Sequence, residues 1–125
     1  MSYSVDYLPD KDMVLVKIKG RLNFKIAEQY SKEAVKLARQ NDCRNFLIDH
    51  TETTIDEEIY KIHTAGEELQ QFGFQNSDRI AIIVAKNSNY SKLLDTLKQN
   101  RMWSTFKYFN EDNIRDAYNW LLEVK

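Results

Sequence analysis

Residues 79–85 read Arg-Ile-Ala-Ile-Ile-Val-Ala, an apolar run in which polar residues do not alternate. Polar residues border this run, with Asp78 before it and Lys86 after it. A strand with one face in water alternates apolar and polar residues, whereas a strand covered on both faces does not. The run therefore predicts a central strand of a parallel sheet with helices packed on both sides.

Two alternating segments precede this strand and predict a hairpin. In residues 2–8 every second residue is Tyr or Val. In residues 13–19 Val and Ile lie on one face of the predicted strand and Lys on the other. That period of two is typical of half-buried strands. The segments are joined by Pro9-Asp10-Lys11-Asp12, where proline suits the first central position of a tight turn. The N-terminal part of the chain is thus predicted to be an antiparallel hairpin.

Elsewhere the apolar spacing is helical, and two more short strands interrupt it at 44–49 and 104–109. Asn23 is predicted to cap the first helix, and Gly73 to end a second helix that covers about 55–72. A third helix is predicted over about 88–100. Asn110 caps the last helix, whose apolar stripe consists of Ile114, Ala117, Tyr118, Leu121 and Leu122, with Trp120 at the core edge.

The resulting order is β-β-α-β-α-β-α-β-α, which predicts an α/β fold. Repeated strand-to-helix passages favour a mostly parallel sheet, and the hairpin makes the N-terminal strand an antiparallel edge. A chain of 125 residues without a linker or repeat is expected to form one domain over residues 1–125.

Composition excludes several classes of function. The chain has 18 basic and 19 acidic residues, so it lacks the basic excess that nucleic-acid binding requires. No apolar stretch approaches the roughly 20 residues of a membrane span, and the N-terminus does not look like a secretory signal. With one cysteine, Cys43, and two histidines, neither a disulfide nor a structural zinc site is expected. These features predict a cytoplasmic protein without a metal or cofactor.

Four segments carry a resemblance to a known family: KIKGRLN at 17–23, FLID at 46–49, RIAIIV at 79–84 and FKYFNEDNIRDAYNWLLEV at 106–124. Together they resemble the STAS-like domains typified by the sporulation anti-sigma-factor antagonist, the SpoIIAA-like fold. The last segment is similar to the end of uncharacterised bacterial SpoIIAA-like proteins, whose Ala-x-x-Trp-Leu pattern corresponds to Ala117, Trp120 and Leu121. The resemblance spans almost the whole chain, and none of the segments is a catalytic signature.

The resemblance implies a sheet wound in sequence order with helices packed against it. In regulatory members it also implies a partner switch, in which an anti-sigma kinase phosphorylates a serine that follows an aspartate at the start of the second helix. Here Ile55-Asp56-Glu57-Glu58-Ile59 stands where Ile-Asp-Ser-Ser-Gly is expected, and no serine lies between Ser31 and Ser77. The phosphorylation mechanism is therefore not carried over to this chain.

The segment where that serine is missing has a structural interpretation and two functional ones. Thr54 and Glu57 have the spacing of a capping box, and the acidic residues from Asp56 onward suit the positive end of a helix. We favour this interpretation. Alternatively, Thr51, Thr53 or Thr54 accepts a phosphate, or Glu57 supplies a fixed negative charge in place of a phosphoserine.

Other candidate residues are weaker. Asp49 and His50 are neighbours on a strand, so they are expected to point to opposite faces and not to form an acid–base pair. Three glycines that share no strand–helix turn do not build a phosphate cradle. Lys86, Asn87 and Ser88 form the best candidate contact for an anion, although a helix cap explains them more simply.

Ligands of parallel α/β sheets bind at the carboxyl ends of the strands. The predicted turns at that edge are 20–23, 50–54, 86–89 and Asn110. The sequence thus predicts a non-enzymatic module, without catalytic residues, that binds a protein partner there. The residues of this predicted edge are Asp49, His50, Thr53, Thr54, Asp56 and Glu57. The alternative function is binding of a small molecule, a lipid or a nucleotide, which requires an apolar pocket.

Overall fold

A computed structural model of the chain describes residues 2–55, 72–75, 77–85 and 106–122. Five strands form one sheet in sequence order: β1 Ser2–Leu8, β2 Met13–Leu22, β3 Asn45–Ile55, β4 Arg79–Val84 and β5 Phe106–Asn110. β1 and β2 are antiparallel, and the other neighbouring pairs are parallel. The predicted α/β class and the antiparallel N-terminal edge are confirmed. The helix predicted over 88–100, and all but the two end residues of the helix predicted over 55–72, lie outside the described residues.

The β1–β2 turn forms where the sequence places it. The Lys11 amide donates a hydrogen bond to the Leu8 carbonyl oxygen at 3.1 Å, so Pro9 occupies the first central position. Asp12 completes the connection with a φ of 49°, a left-handed conformation that Asp tolerates better than most residues.

The first helix, α1, covers Phe24–Gln40 and packs against β1 and β2. As predicted, Asn23 caps it, because the Asn23 Oδ1 atom accepts a hydrogen bond from the Ile26 amide at 2.9 Å. The helix ends at Asn41, and Asp42 turns the chain away with a φ of 52°. Four buried residues at helical spacing face the sheet: Ala27, Tyr30, Ala34 and Ala38.

The sheet has an apolar core on each face. On one face α1 covers residues from β2, β3 and β4, together with Phe72 and Phe74. On the other face the second described helix, α2 (Ile114–Leu121), packs over Leu47, Ile83 and Phe109. The alternate residues of β4 enter different cores, since Ile80, Ile82 and Val84 face α1 whereas Ala81 and Ile83 face α2. This arrangement explains why residues 79–85 are apolar without alternation.

A single 3-10 turn, Glu111–Asn113, leads into α2. The Asn110 Oδ1 atom accepts a hydrogen bond from the Asp112 amide at 3.0 Å, so Asn110 caps this 3-10 turn. It does not cap α2 itself, contrary to the prediction, because Asn113 precedes α2 and makes no side-chain capping bond. Trp120 lies at the core edge as predicted, with its ring centroid 6.0 Å from that of Phe109.

The prediction that the buried stripe of this helix includes Ile114 and Leu122 is wrong. These side chains are 37% and 44% exposed, whereas Ala117 and Leu121 are buried. The reason is the length of α2: with eight residues it reaches only about 12 Å. Ile114 and Leu122 stand at its two ends, beyond the part that contacts the sheet.

The predicted start of the helix after β3 is also wrong. β3 continues through Ile55, so Thr54 is a strand residue and does not cap a helix that begins at Ile55. Likewise β2 continues through Leu22, where the sequence pattern predicted a turn over 20–23. The β-branched residues at 51, 53, 54 and 55 fit a strand, and the extended β2 supplies them with backbone partners.

Candidate functional site

The carboxyl ends of β2 and β3 project beyond the rest of the described sheet. Residues 19–22 of β2 pair in parallel with residues 52–55 of β3, and we call this segment the β2–β3 ribbon. Pairing of β3 with β4 ends at His50 and Val84, and pairing of β1 with β2 begins at Ser2 and Lys19. The edge predicted to consist of loops is therefore, at this place, a two-stranded extension.

A β-bulge separates the ribbon from the sheet. Lys17 pairs with Asp49 and Lys19 pairs with Glu52, so β3 has one more residue than β2 in this interval. The Asp49 Oδ1 atom accepts hydrogen bonds from the Thr51 amide at 2.9 Å and from the Thr51 hydroxyl at 2.7 Å. The carboxylate thus compensates an amide at the point where the ladder is interrupted.

His50 lies beneath the ribbon and is only 2% exposed. Its ring meets the ring of Tyr30 edge-on at a centroid distance of 6.2 Å. Burial lowers the pKa of His50 from 6.5 to about 3, because the charged imidazolium is poorly solvated there. Asp49 is half-buried on the opposite face of the strand, so the two residues do not form an acid–base pair, as the sequence predicted.

The two faces of the ribbon differ. Toward α1, the Thr53 hydroxyl donates a hydrogen bond to the Ile18 carbonyl oxygen at 2.8 Å, and Leu22 is buried. The other face carries Lys19 and Glu52, whose charged atoms are 3.6 Å apart and whose side chains are 67% and 64% exposed. Thr54 and its partner Arg21 are exposed as well.

Of the residues predicted for this edge, the structure places Asp49, His50, Thr53 and Thr54 on one strand. Asp56, Glu57, Lys86, Asn87 and Ser88 lie outside the described residues. The sequence interpretation missed three charged residues on the exposed face of the ribbon: Lys19, Arg21 and Glu52. The alternation that ends the first hairpin continues through 17, 19 and 21, and this signal predicts Lys19 and Arg21 on one face once β2 is extended. It does not predict Glu52, which lies on β3.

A second cluster of charges lies at the amino ends of β3 and β4 and was not predicted. Asp78 is fully buried, and its Oδ2 atom accepts hydrogen bonds from the Arg39 guanidinium at 2.6 Å and the Gln75 amide at 2.8 Å. The Arg44 guanidinium is 3.5 Å from its Oδ1 atom and donates to the Ser77 hydroxyl at 2.7 Å. This cluster joins the end of α1 to the start of β4.

Within 2–55, 72–75, 77–85 and 106–122 no group of His, Cys, Asp and Glu residues is arranged to hold a metal ion. The thiol of Cys43 is buried, and burial is the main cause that raises its pKa, which disfavours the reactive thiolate. No helix in this part of the chain is long and apolar enough to cross a membrane.

Neither a protein-family model nor a curated protein matches the chain. Solved structures do match it. The crystal structure of an anti-sigma factor antagonist from Mycobacterium paratuberculosis has a TM-score of 0.60 and 14% identity, and the match covers 98% of this chain and 96% of that one. The anti-sigma factor antagonist SpoIIAA in its unphosphorylated form has a TM-score of 0.50 and 11% identity, with 92% and 96% covered.

These matches agree with the strand order and pairing described above. The chain has the SpoIIAA-like fold, and the resemblance seen in the sequence is confirmed at the level of the fold. At such low identities the likeness defines the architecture, and function has to be argued from the site.

Proposed function

We propose that this chain is a non-enzymatic, cytoplasmic regulatory module that binds a protein partner through the exposed face of the β2–β3 ribbon. The observation that carries the proposal is the projection of the ribbon beyond the sheet with charged side chains on its exposed face. The ribbon lies at the carboxyl edge of the parallel strands, where α/β folds usually bind their ligands.

The chemistry of this face suits a protein surface. Lys19 and Arg21 alternate along one strand, and Glu52 and Thr54 stand beside them on the other. Such mixed charges give specificity and correct orientation to a complex with a complementary surface, more than they give raw affinity. A partner with the reverse pattern of charges would be recognised, and one with the same pattern would be repelled.

We propose a non-enzymatic function because the described residues with catalytic chemistry have structural roles. Across the described ranges, the groups that resemble catalytic residues are held in structural roles. Asp49 binds the bulge at Thr51, His50 is buried against Tyr30, and the thiol of Cys43 is buried. A nucleophile–base pair is not assembled from them.

We also propose that phosphorylation does not control this module. The hydroxyl of Thr51 is bonded to Asp49 and that of Thr53 to the Ile18 carbonyl oxygen. Acidic residues follow in the sequence from Asp56, and they would repel a phosphate placed at this end of the strand. We propose that the module binds its partner without a phosphoserine switch.

A charge swap on the ribbon tests this function. The double substitution Lys19→Glu with Glu52→Lys keeps the ion pair within the chain but reverses the charges that a partner meets. Partners that co-purify with the parent chain from its native cells are identified and quantified by mass spectrometry. We expect the swap to reduce capture of the main partner at least about tenfold, as expected for reversed contacts at a charged interface.

The matched control reverses the charge of the exposed Lys36, which lies on α1 and outside the ribbon, by Lys36→Glu. We expect it to retain the partner. Unchanged capture by the swapped variant would reject the ribbon as the binding surface. A lipid or nucleotide that stays bound to the pure chain in native mass spectrometry would favour the small-molecule alternative instead.

A further inference from the structure

The outer edge of β1 is open in the part of the chain that the structure describes. β1 is the first strand of the sheet order, and β2 is its one neighbour there. The strand has seven residues, Ser2–Leu8, whose outward backbone amides and carbonyl groups form a regular row. Such an edge is a template for pairing with another strand.

Natural edge strands carry devices that prevent this pairing, and β1 has few of them. Its pairing with β2 runs without a shift from Ser2–Lys19 to Leu8–Met13, so it contains no bulge. Asp6 is its one charged residue, and Pro9 comes after its end. By contrast, β5 at the other end of the described sheet has five residues and presents the exposed Lys107.

The sequence of β1 is complementary to itself in one register. Two copies that pair as antiparallel edges are related by a two-fold axis perpendicular to the sheet and midway between the strands, so one residue must lie opposite its own copy. We name each register by that residue. The Val5 register pairs all seven residues, with Tyr3 opposite Tyr7 and Ser4 opposite Asp6. The Asp6 register would pair fewer residues and would place two like charges opposite each other.

We propose that β1 is a self-association edge, on which a second copy of this chain pairs antiparallel in the register centred on Val5. The pairing joins the two five-stranded sheets and places both α1 helices on the same face. Backbone hydrogen bonds supply the attraction, and the two Tyr3–Tyr7 pairs, whose side chains are half-buried in each copy, add contact area across the seam.

Substitutions of Ser4 test both the dimer and its register. Ser4 is exposed, and within one chain it lies opposite Lys17. In the proposed dimer it lies opposite Asp6 of the second copy. Ser4→Asp therefore places a second negative charge opposite Asp6 in the dimer, but within one chain it places a negative charge opposite Lys17, which stabilises the fold. Ser4→Lys places a positive charge opposite Asp6, which stabilises the dimer, and opposite Lys17, which destabilises the fold. The effects on dimerisation and on folding have opposite signs and are distinguishable.

The measurement is sedimentation equilibrium of the full chain up to about millimolar concentration, with the free energy of unfolding measured in parallel. We expect a concentration-dependent dimer that Ser4→Asp weakens, and Ser4→Lys strengthens, by roughly tenfold, since each seam contains the pair twice. Asn119→Asp and Asn119→Lys make the same charge changes at an exposed position of α2 and should leave the dimer unchanged. A monomer at all concentrations, or a dimer that responds to neither Ser4 substitution, would overturn the proposal.

Discussion

The two ends of the parallel strands use the same kinds of charged residue in opposite ways. At the carboxyl end, Lys19 and Glu52 are 3.6 Å apart and about two thirds exposed. At the amino end, Asp78 is fully buried and lies 2.6 Å from Arg39. Both members of the first pair are exposed, whereas in the second pair the carboxylate is enclosed by the fold and Arg39 is 30% exposed. The comparison shows that burial, and not residue type, separates a candidate binding surface from a structural cluster.

The energies of the two ends should differ for the same reason. Exposed ion pairs are typically worth about 0–1 kcal/mol, because water and salt screen them. Removal of one partner from a buried pair typically costs about 3–5 kcal/mol, because the remaining charge loses its compensation. The predictions below test this difference, in order of decreasing effect.

The largest effect is expected for Asp78→Ala. The substitution leaves the Gln75 amide and the Arg39 guanidinium without their acceptor, and Arg39 is exposed enough to be partly solvated, so the free energy of unfolding should fall by about 3 kcal/mol. Urea denaturation measures this loss. Glu52→Ala at the exposed end is the matched control and should change stability by less than about 1 kcal/mol. Equal effects at the two positions would remove the distinction between the ends.

A pH effect is expected from His50, the buried group beneath the ribbon. Well above pH 6.5 the imidazole is neutral in both the folded and the unfolded state. As the pH falls from 6.5 to about 3, the unfolded chain binds a proton that the folded chain does not bind. The free energy of unfolding therefore decreases over this window, by about 1.4 kcal/mol per pH unit for this group.

The variant His50→Phe isolates that contribution. Between pH 6 and pH 4 the parent chain should lose about 2 kcal/mol more than the variant, since all other titrating groups are shared. Denaturant titrations at each pH measure the two slopes, so a uniform loss of stability in the variant does not affect the result. Parallel pH profiles would show that His50 is not kept neutral by burial.

A smaller effect is expected at the bulge. Thr51→Val removes the hydroxyl that donates to Asp49 but keeps the β-branched shape, and it should cost about 1 kcal/mol. Thr54→Val removes an exposed hydroxyl from the same strand and should change stability by less than about 0.5 kcal/mol. Denaturant unfolding distinguishes the two variants, and a cost at Thr54 that matches the cost at Thr51 would contradict the role given to Asp49.

The smallest effect is the coupling between Lys19 and Glu52. A double-mutant cycle with alanine at each position should give a coupling free energy of about 0.5 kcal/mol or less. This coupling should decrease when the salt concentration is raised from about 0.05 M to 1 M. A coupling above 2 kcal/mol that does not respond to salt would mean that the ribbon is as enclosed as the Asp78 cluster.

Local patterns predicted much of the fold correctly. The continuous apolar run at 79–85 predicted a strand covered on both faces, and alternation predicted the hairpin. Asn23 was recognised as the cap of α1 because capping depends on residues within one helical turn. Asn110 was recognised as a capping residue, but it caps the 3-10 turn before α2. Structural features that depend on residues close together in the chain could therefore be predicted from the sequence.

The candidate site was predicted less well, because its structure depends on distant residues. Thr54 and Glu57 have the spacing of a capping box, yet the backbone groups of 52–55 are paired with β2, more than 30 residues earlier in the chain. The Asp78 cluster has the same character, since Arg39 and Asp78 are 39 residues apart. Patterns within a short window do not contain such pairings.

The sequence by itself determined the α/β class, the succession of the described strands along the chain and the antiparallel hairpin. These features follow from the spacing of apolar residues, which decides which faces must leave water. Only the tertiary structure decided where β2 and β3 end, which charges are buried and which strands form the edges of the described sheet. The physical reason is that strand pairing and burial are relations between distant segments, and the energy of a charge depends on whether those segments exclude water from it.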